Sequence, residues 1–97
     1  MVKLKIISDK ENATDVIKSA ISAEIKRMEI GLNRTNREIK SFEEKYKVSS
    51  ETFAKEFAAE DLKRGDDEYI RWAGELGMRN RIIEELEKLK DIEYVAA

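Results

Sequence analysis

The chain of 97 residues contains no cysteine, no histidine and no proline, and only four glycines. Without cysteine, neither a disulfide framework nor thiolate chemistry is open to it. Without histidine, it lacks the commonest general base and the commonest transition-metal ligand. No paired-carboxylate cleft and no phosphate-binding glycine loop is visible either, so neither catalysis, a metal nor a cofactor is expected. No apolar stretch reaches 18 residues, and Met1–Ser8 hold no apolar run of signal-peptide length. The expectation is therefore a soluble, cytoplasmic protein with no membrane partner. The absence of proline and the scarcity of glycine leave few places to turn, which favours long elements.

Charge is what the chain has in abundance. Charged residues make up 41% of it, with 19 Lys and Arg against 21 Asp and Glu. A Lys- and Glu-rich chain free of cysteine carries the bias of hyperthermophile proteins, and points to a thermophilic source. Its length allows one domain, of a size that buries only about 60–65% of its unfolded surface.

The organising pattern is an unbroken 3/4 spacing. Ile25, Met28, Leu32, Thr35, Ile39, Phe42 and Tyr46 are separated by 3, 4, 3, 4, 3 and 4, and only Thr35 is not apolar. Such a repeat keeps a narrow stripe on one side of a helix and writes a coiled-coil seam. The stripe extends backwards through Ile21, Ile17 and Ala13, which predicts one helix over 13–47, roughly 50 Å long. Val48, Ser49 and Ser50 interrupt it, since serine caps a new helix while weakening an old one. A corner helix is predicted over 51–63, with Phe53, Phe57 and Leu62 on one face and Gly65 ending it. Asp66, Asp67 and Glu68 supply capping and first-turn acids for a third helix over 67–90. There Tyr69, Trp72, Ala73, Leu76, Ile83, Leu86 and Leu89 mark a face that returns antiparallel along the first helix. Val2, Leu4 and Ile6 alternate with Lys3 and Lys5, predicting a strand within 1–8, and Ile92, Tyr94 and Val95 predict another within 92–96. The two termini of a hairpin lie close together, so these strands are candidates to pair. The expected fold is all-α: a long antiparallel, coiled-coil-like hairpin with a short corner helix and short terminal strands.

Charge is segregated along this layout. Residues 26–47 carry seven basic and four acidic side chains, whereas 51–68 carry three basic and seven acidic. Lys26, Arg27, Arg34, Arg37 and Lys40 lie away from the apolar stripe and form a candidate contact for a nucleic acid or an acidic partner. The net charge of −2 and the lack of an aromatic on that face favour a merely solvated surface. The opposite sign gathers at the corner, where Glu56, Glu60, Asp61, Asp66, Asp67 and Glu68 surround Phe53, Phe57, Tyr69 and Trp72. Acids around aromatics suit docking of a basic partner, with Asp66, Asp67, Glu68, Tyr69 and Trp72 as candidate contacts. The plainer reading is that Phe53 and Phe57 plug the open end of the hairpin. The run Asp66–Asp67–Glu68 lacks the alternating ligands and glycine turn of a calcium loop.

Two further patterns compete. Gly74-Glu75-Leu76-Gly77 matches the GxxG of a KH-type RNA loop but sits inside a helical pattern. A strand with Lys3 and Lys5, a helix, and then Gly31-Leu32-Asn33-Arg34-Thr35 matches a ribbon-helix-helix DNA-binding layout, in which paired strands read the major groove. DNA is a partner under that alternative alone. The heptad phase, however, runs through Gly31 without the slip that a turn would introduce.

The second half of the chain resembles small prokaryotic antitoxin-like proteins. The resemblance rests on Tyr46-Lys47-Val48-Ser49-Ser50-Glu51-Thr52-Phe53, then Gly65-Asp66-Asp67-Glu68-Tyr69, then Arg71-Trp72-Ala73. It implies a non-enzymatic module that neutralises a co-encoded toxin by direct binding. Many antitoxins have a disordered C-terminal half, whereas that of this chain reads as helical. A structural coiled-coil adaptor is the remaining alternative. Ile30 lies on the far side of the first helix from the stripe, so a homodimer with a four-helix core is also expected, with Ile25, Met28, Leu32, Ile39 and Phe42 as its seam.

Overall fold

The computed structural model describes residues 4–8, 11–56 and 67–96. In chain order it contains β1 (Lys5–Ser8), α1 (Glu11–Tyr46), α2 (Ser50–Glu56), α3 (Asp67–Lys90) and β2 (Glu93–Ala96). The architecture is a mostly helical hairpin in which α3 packs back along α1. Residues 57–63 of the expected corner helix lie outside the described residues.

The seven-residue repeat has its expected consequence. α1 is one unbroken helix of 36 residues, which at 1.5 Å per residue is about 54 Å long. It sets the long axis of a molecule measuring 56 × 24 × 19 Å. Its passage through Gly31–Thr35 removes the turn that a ribbon-helix-helix layout requires. The radius of gyration is 18.7 Å, against roughly 12–13 Å for a compact chain of this length.

α1 stops where the backbone turns left-handed. Lys47 has φ 54°, and the Val48 N–H returns to the Glu43 carbonyl at 3.3 Å, the six-to-one bond of a Schellman cap. Ser49 then starts α2. Its hydroxyl accepts from the Thr52 N–H at 3.1 Å, and its carbonyl accepts from the Phe53 N–H at 2.9 Å. The Glu43 carboxylate holds the Ser50 N–H at 2.8 Å, so one acid of α1 fixes the start of the next helix.

Ion pairs trace the antiparallel register of α1 and α3: Lys45–Glu68 at 2.5 Å, Glu38–Arg71 at 3.8 Å, Arg34–Glu75 at 4.0 Å and Glu29–Lys90 at 3.2 Å. All are at least partly exposed, and such pairs mark geometry more than they add stability. Between the helices Met28, Thr35, Ile39, Phe42, Trp72 and Leu86 are buried, while Ile25 and Leu32 are half-buried. Of the seam expected to be shared between two chains, one chain by itself buries Met28, Ile39 and Phe42 and leaves Ile25 and Leu32 half-buried. Thr35 is fully enclosed and its hydroxyl has no hydrogen-bond partner. The single departure from the apolar rule is therefore a polar atom left unmatched in the core.

α3 runs back along α1 as far as about Glu24, where Glu85, Lys88 and Leu89 lie beside Glu24, Arg27 and Met28. Below that level lie the strands, paired in parallel with Lys5 opposite Glu93 and Ile6 opposite Tyr94. The direction follows from the connections. β2 continues the descent of α3, and β1 descends too before the chain reverses into α1. Lys18 of α1 places its ammonium over the Tyr94 ring, 5.1 Å from the centroid.

Candidate binding surfaces

The acidic, aromatic corner is built by α1, α2 and α3 together. Trp72 has no exposed surface. Phe53 stacks on it with centroids 4.0 Å apart and planes 7° from parallel. Phe42 and Tyr46 stack on it at 5.8 Å and 5.9 Å. Tyr69 meets Tyr46 and Phe53 edge-on at 5.3 Å and 5.6 Å. The indole N–H donates to the Ser50 hydroxyl at 2.9 Å, which satisfies the polar edge of an otherwise apolar ring.

Trp72, expected among the partner contacts, is therefore a core residue. Three aromatic rings cover it and its one donor is used internally. Tyr69 is half-buried in the same cluster. Phe57, Glu60, Asp61 and Asp66 lie outside the described residues. Glu68 is occupied: it accepts from Lys45 and from the Tyr46 hydroxyl. Those two hydrogen bonds, Lys45 first, hold its carboxyl below the usual glutamate range. Asp67 stands exposed at the first turn of α3.

Two helical turns on from Asp67, α3 presents an outward face that the sequence reading passed over. Asp67, Ile70, Gly74 and Gly77 are separated by 3, 4 and 3, so they share one side of the helix, with Met78 beside them. Ile70 and Met78 are 46% and 40% exposed. A Cβ on Gly74 or Gly77 would meet nothing within 4 Å. The two glycines are thus interior helical residues rather than a KH-type loop, and among the described residues they bring no other element close.

The basic residues are distributed along the outside of α1. Lys26, Arg37 and Lys40 are exposed. Arg27 is tied to Glu24 at 2.5 Å, and Arg34 leans towards Glu75 and the Met78 sulfur, 4.0 Å from each. A groove of about 500 Å³ between α1, α2 and α3 is lined by Glu43, Glu51, Arg79 and Asn80 among others, and it opens broadly to solvent. Among the described residues, no group of three or more acidic side chains is placed to hold a metal ion. Among them also, no helix is long and apolar enough to cross a membrane.

No protein-family model, no curated protein and no solved structure matches this chain.

Proposed function

We propose that this chain is a protein-binding module that neutralises a co-encoded toxin by direct, stoichiometric contact, as its antitoxin-like motifs imply. The observation that carries the reading is the outward face of α3. There an exposed acid (Asp67) leads into exposed Ile70 and Met78 around two glycines at which, among the described residues, an added Cβ would meet nothing within 4 Å. Each glycine costs the helix about 1 kcal/mol relative to alanine, and close approach by a partner helix or strand would offset that cost. Asp67 and the acids that precede it in sequence suit a toxin with a basic surface, complementary charge speeding association and the apolar contacts prolonging the complex. The docking surface is thereby moved from buried Trp72 to its solvent side.

The test is growth rescue from the product of the neighbouring gene, with melting curves run in parallel. Asp67→Lys combined with Ile70→Glu changes two exposed positions and is expected to abolish rescue while costing the fold only about 1 kcal/mol, the value of the lost first-turn acid. Full rescue by the folded double variant refutes this surface. Salt-sensitive binding to duplex DNA without a protein partner would refute the toxin-binding reading and point instead to the basic flank of α1, where Lys26, Arg37 and Lys40 are exposed.

A further inference from the structure

Both strands of a two-stranded sheet are edges, and each presents a row of unpaired backbone N–H and C=O groups. Parallel pairing is slightly less stable per residue than antiparallel, and two short strands alone are marginal, whereas three or more make an independently stable sheet. Here the outer face carries Ile7, 67% exposed, and Val95, 37% exposed. Beside the strands, the flank of α1 has its own 3/4 series: Val16, Ala20, Ala23, Arg27 and Ile30. All five are exposed.

We propose that the strand pair is half of a four-stranded sheet completed by a second copy of this chain. β1 of one copy pairs antiparallel with β1 of the other across a two-fold axis, and the Val16–Ala20–Ala23 flanks of the two α1 helices pack side by side. The strand order is β2-β1-β1-β2.

Three features agree on this arrangement. The first is which edge and which flank lie together. Val16, Ala20 and Ala23 sit about a third of a turn around α1 from Ile17 and Ile21, which continue the seam beneath the strands. Lys18, on the opposite flank, covers the ring of Tyr94 in β2. β2 therefore lies on the Lys18 side, and β1 lies on the side of the free flank.

The second is hydrogen-bond parity. The Glu93 N–H donates to the Leu4 carbonyl at 2.9 Å, so Leu4 and Ile6 direct their backbone groups to β2. Lys5 and Ile7 direct theirs outward, where among the described residues no backbone group meets them. A two-fold axis through Ile6 keeps inward residues opposite inward ones and sets Lys5 opposite the second copy's Ile7. No like charges meet.

The third is spacing. Two strands at about 4.8 Å each advance the sheet by roughly 9.6 Å per copy. That step matches the 8–10 Å at which neighbouring helices pack, with alanine allowing the closer end. A single two-fold axis thus satisfies both the edge and the flank, whereas an extended peptide would satisfy the edge alone.

The surface available is ample. The chain exposes 7461 Å², where a compact protein of 11.3 kDa exposes roughly 5700 Å². A stable dimer needs only about 800 Å² from each partner. This assembly is independent of any toxin.

Sedimentation equilibrium of the full chain at micromolar concentration is expected to give twice the 11.3 kDa chain mass. Ile7→Pro deletes an outward donor without touching the bonds to β2, and should weaken the dimer at least about tenfold. Ala20→Glu, on an exposed helical position, should do the same with helical content unchanged, and carries the test if the proline variant fails to fold. Amide exchange supplies the local readout. The Ile7 N–H should be protected in a concentration-dependent way, while the Tyr94 N–H on the outer edge of β2 exchanges freely. A wild-type monomer refutes the proposal, as does a dimer that neither variant weakens.

Discussion

Ser50→Ala isolates the one polar contact inside the aromatic plug. Ser50 is 7% exposed and Trp72 is not exposed at all, so the indole N–H has no water to turn to once the hydroxyl at 2.9 Å is gone. A buried donor left unmatched costs about 1–3 kcal/mol. The cap of α2 is untouched, because Ser49 rather than Ser50 supplies it, and the bond from Glu43 reaches the Ser50 backbone. Trp72→Phe removes the other partner while keeping the stack on Phe53. The double variant should therefore be more stable than the sum of the two single losses implies, with a coupling of about 0.5–3 kcal/mol. Chemical denaturation followed by fluorescence is the assay. Trp72 is the only tryptophan, so its emission reports this site alone, short-wavelength when native and shifted to the red on unfolding. For a domain of this size each kcal/mol should also appear as roughly 4–8 °C in Tm. Strict additivity, or native emission characteristic of a hydrated indole, would refute the enclosed plug and reopen Trp72 as a docking anchor.

Ile39→Ala, at a position 2% exposed, should cost about 2–5 kcal/mol in denaturant unfolding, and half-buried Leu32→Ala distinctly less. Arg34→Pro, deep inside α1, should cost about 3 kcal/mol or more, and a heat-resistant proline variant would refute the continuous helix. Lys47→Gly relieves a left-handed lysine at φ 54° and should raise stability by about 1 kcal/mol. The Glu68 carboxyl sits below its ordinary value of 4.5 in the folded chain. Its contribution is therefore complete above about pH 4.5 and disappears as pH falls through the lower folded value. Glu68→Gln should flatten that acid limb in pH-dependent melts. Gly74→Ala and Gly77→Ala meet open space among the described residues and should each stabilise the isolated chain by about 1 kcal/mol, yet weaken growth rescue if the proposed face of α3 is the docking surface.

The hairpin was legible because its signal is periodic and local. A 3/4 stripe from Ile25 to Tyr46 needs cover along its length, and 67–90 is the one other stretch long enough to give it. The corner was legible in composition but not in role. An indole at helical spacing near acids reads equally well as an anchor or as a core residue. What decided between them was a serine hydroxyl 22 residues away, whose approach depends on the turn at Lys47. Glu68 is a similar case. Its ties to Lys45 and Tyr46 exist only once the register of α1 against α3 is set. The parallel sense of the strands also lay beyond the pattern, because alternation marks a strand without marking its direction. Conversely, the exposed series on α1 and α3 were there to be read. A single dominant stripe drew attention from the weaker ones beside it.

The two proposed surfaces lie at different heights on the rod, and this makes their joint occupation a matter of geometry. The β1 edge and the Val16–Ala23 flank lie at the strand end. Asp67 and Ile70 lie near the opposite end, where Lys45 meets Glu68 and Glu38 meets Arg71. Some 18 residues of α1 separate Ala20 from Glu38, about 27 Å at 1.5 Å per residue. A two-fold axis through the strand end sends the acidic ends outwards in opposite directions, so a toxin on one copy neither touches nor blocks a toxin on the other. The expected complex contains two chains and two toxins, with independent, equal affinities at the two ends. Titration calorimetry of the dimer with the purified toxin should give a single-step isotherm with one toxin per chain. Half-of-sites binding would refute the independence of the two ends, and a toxin that splits the dimer into one-to-one complexes would place the toxin on the flank of α1 in competition with the second copy.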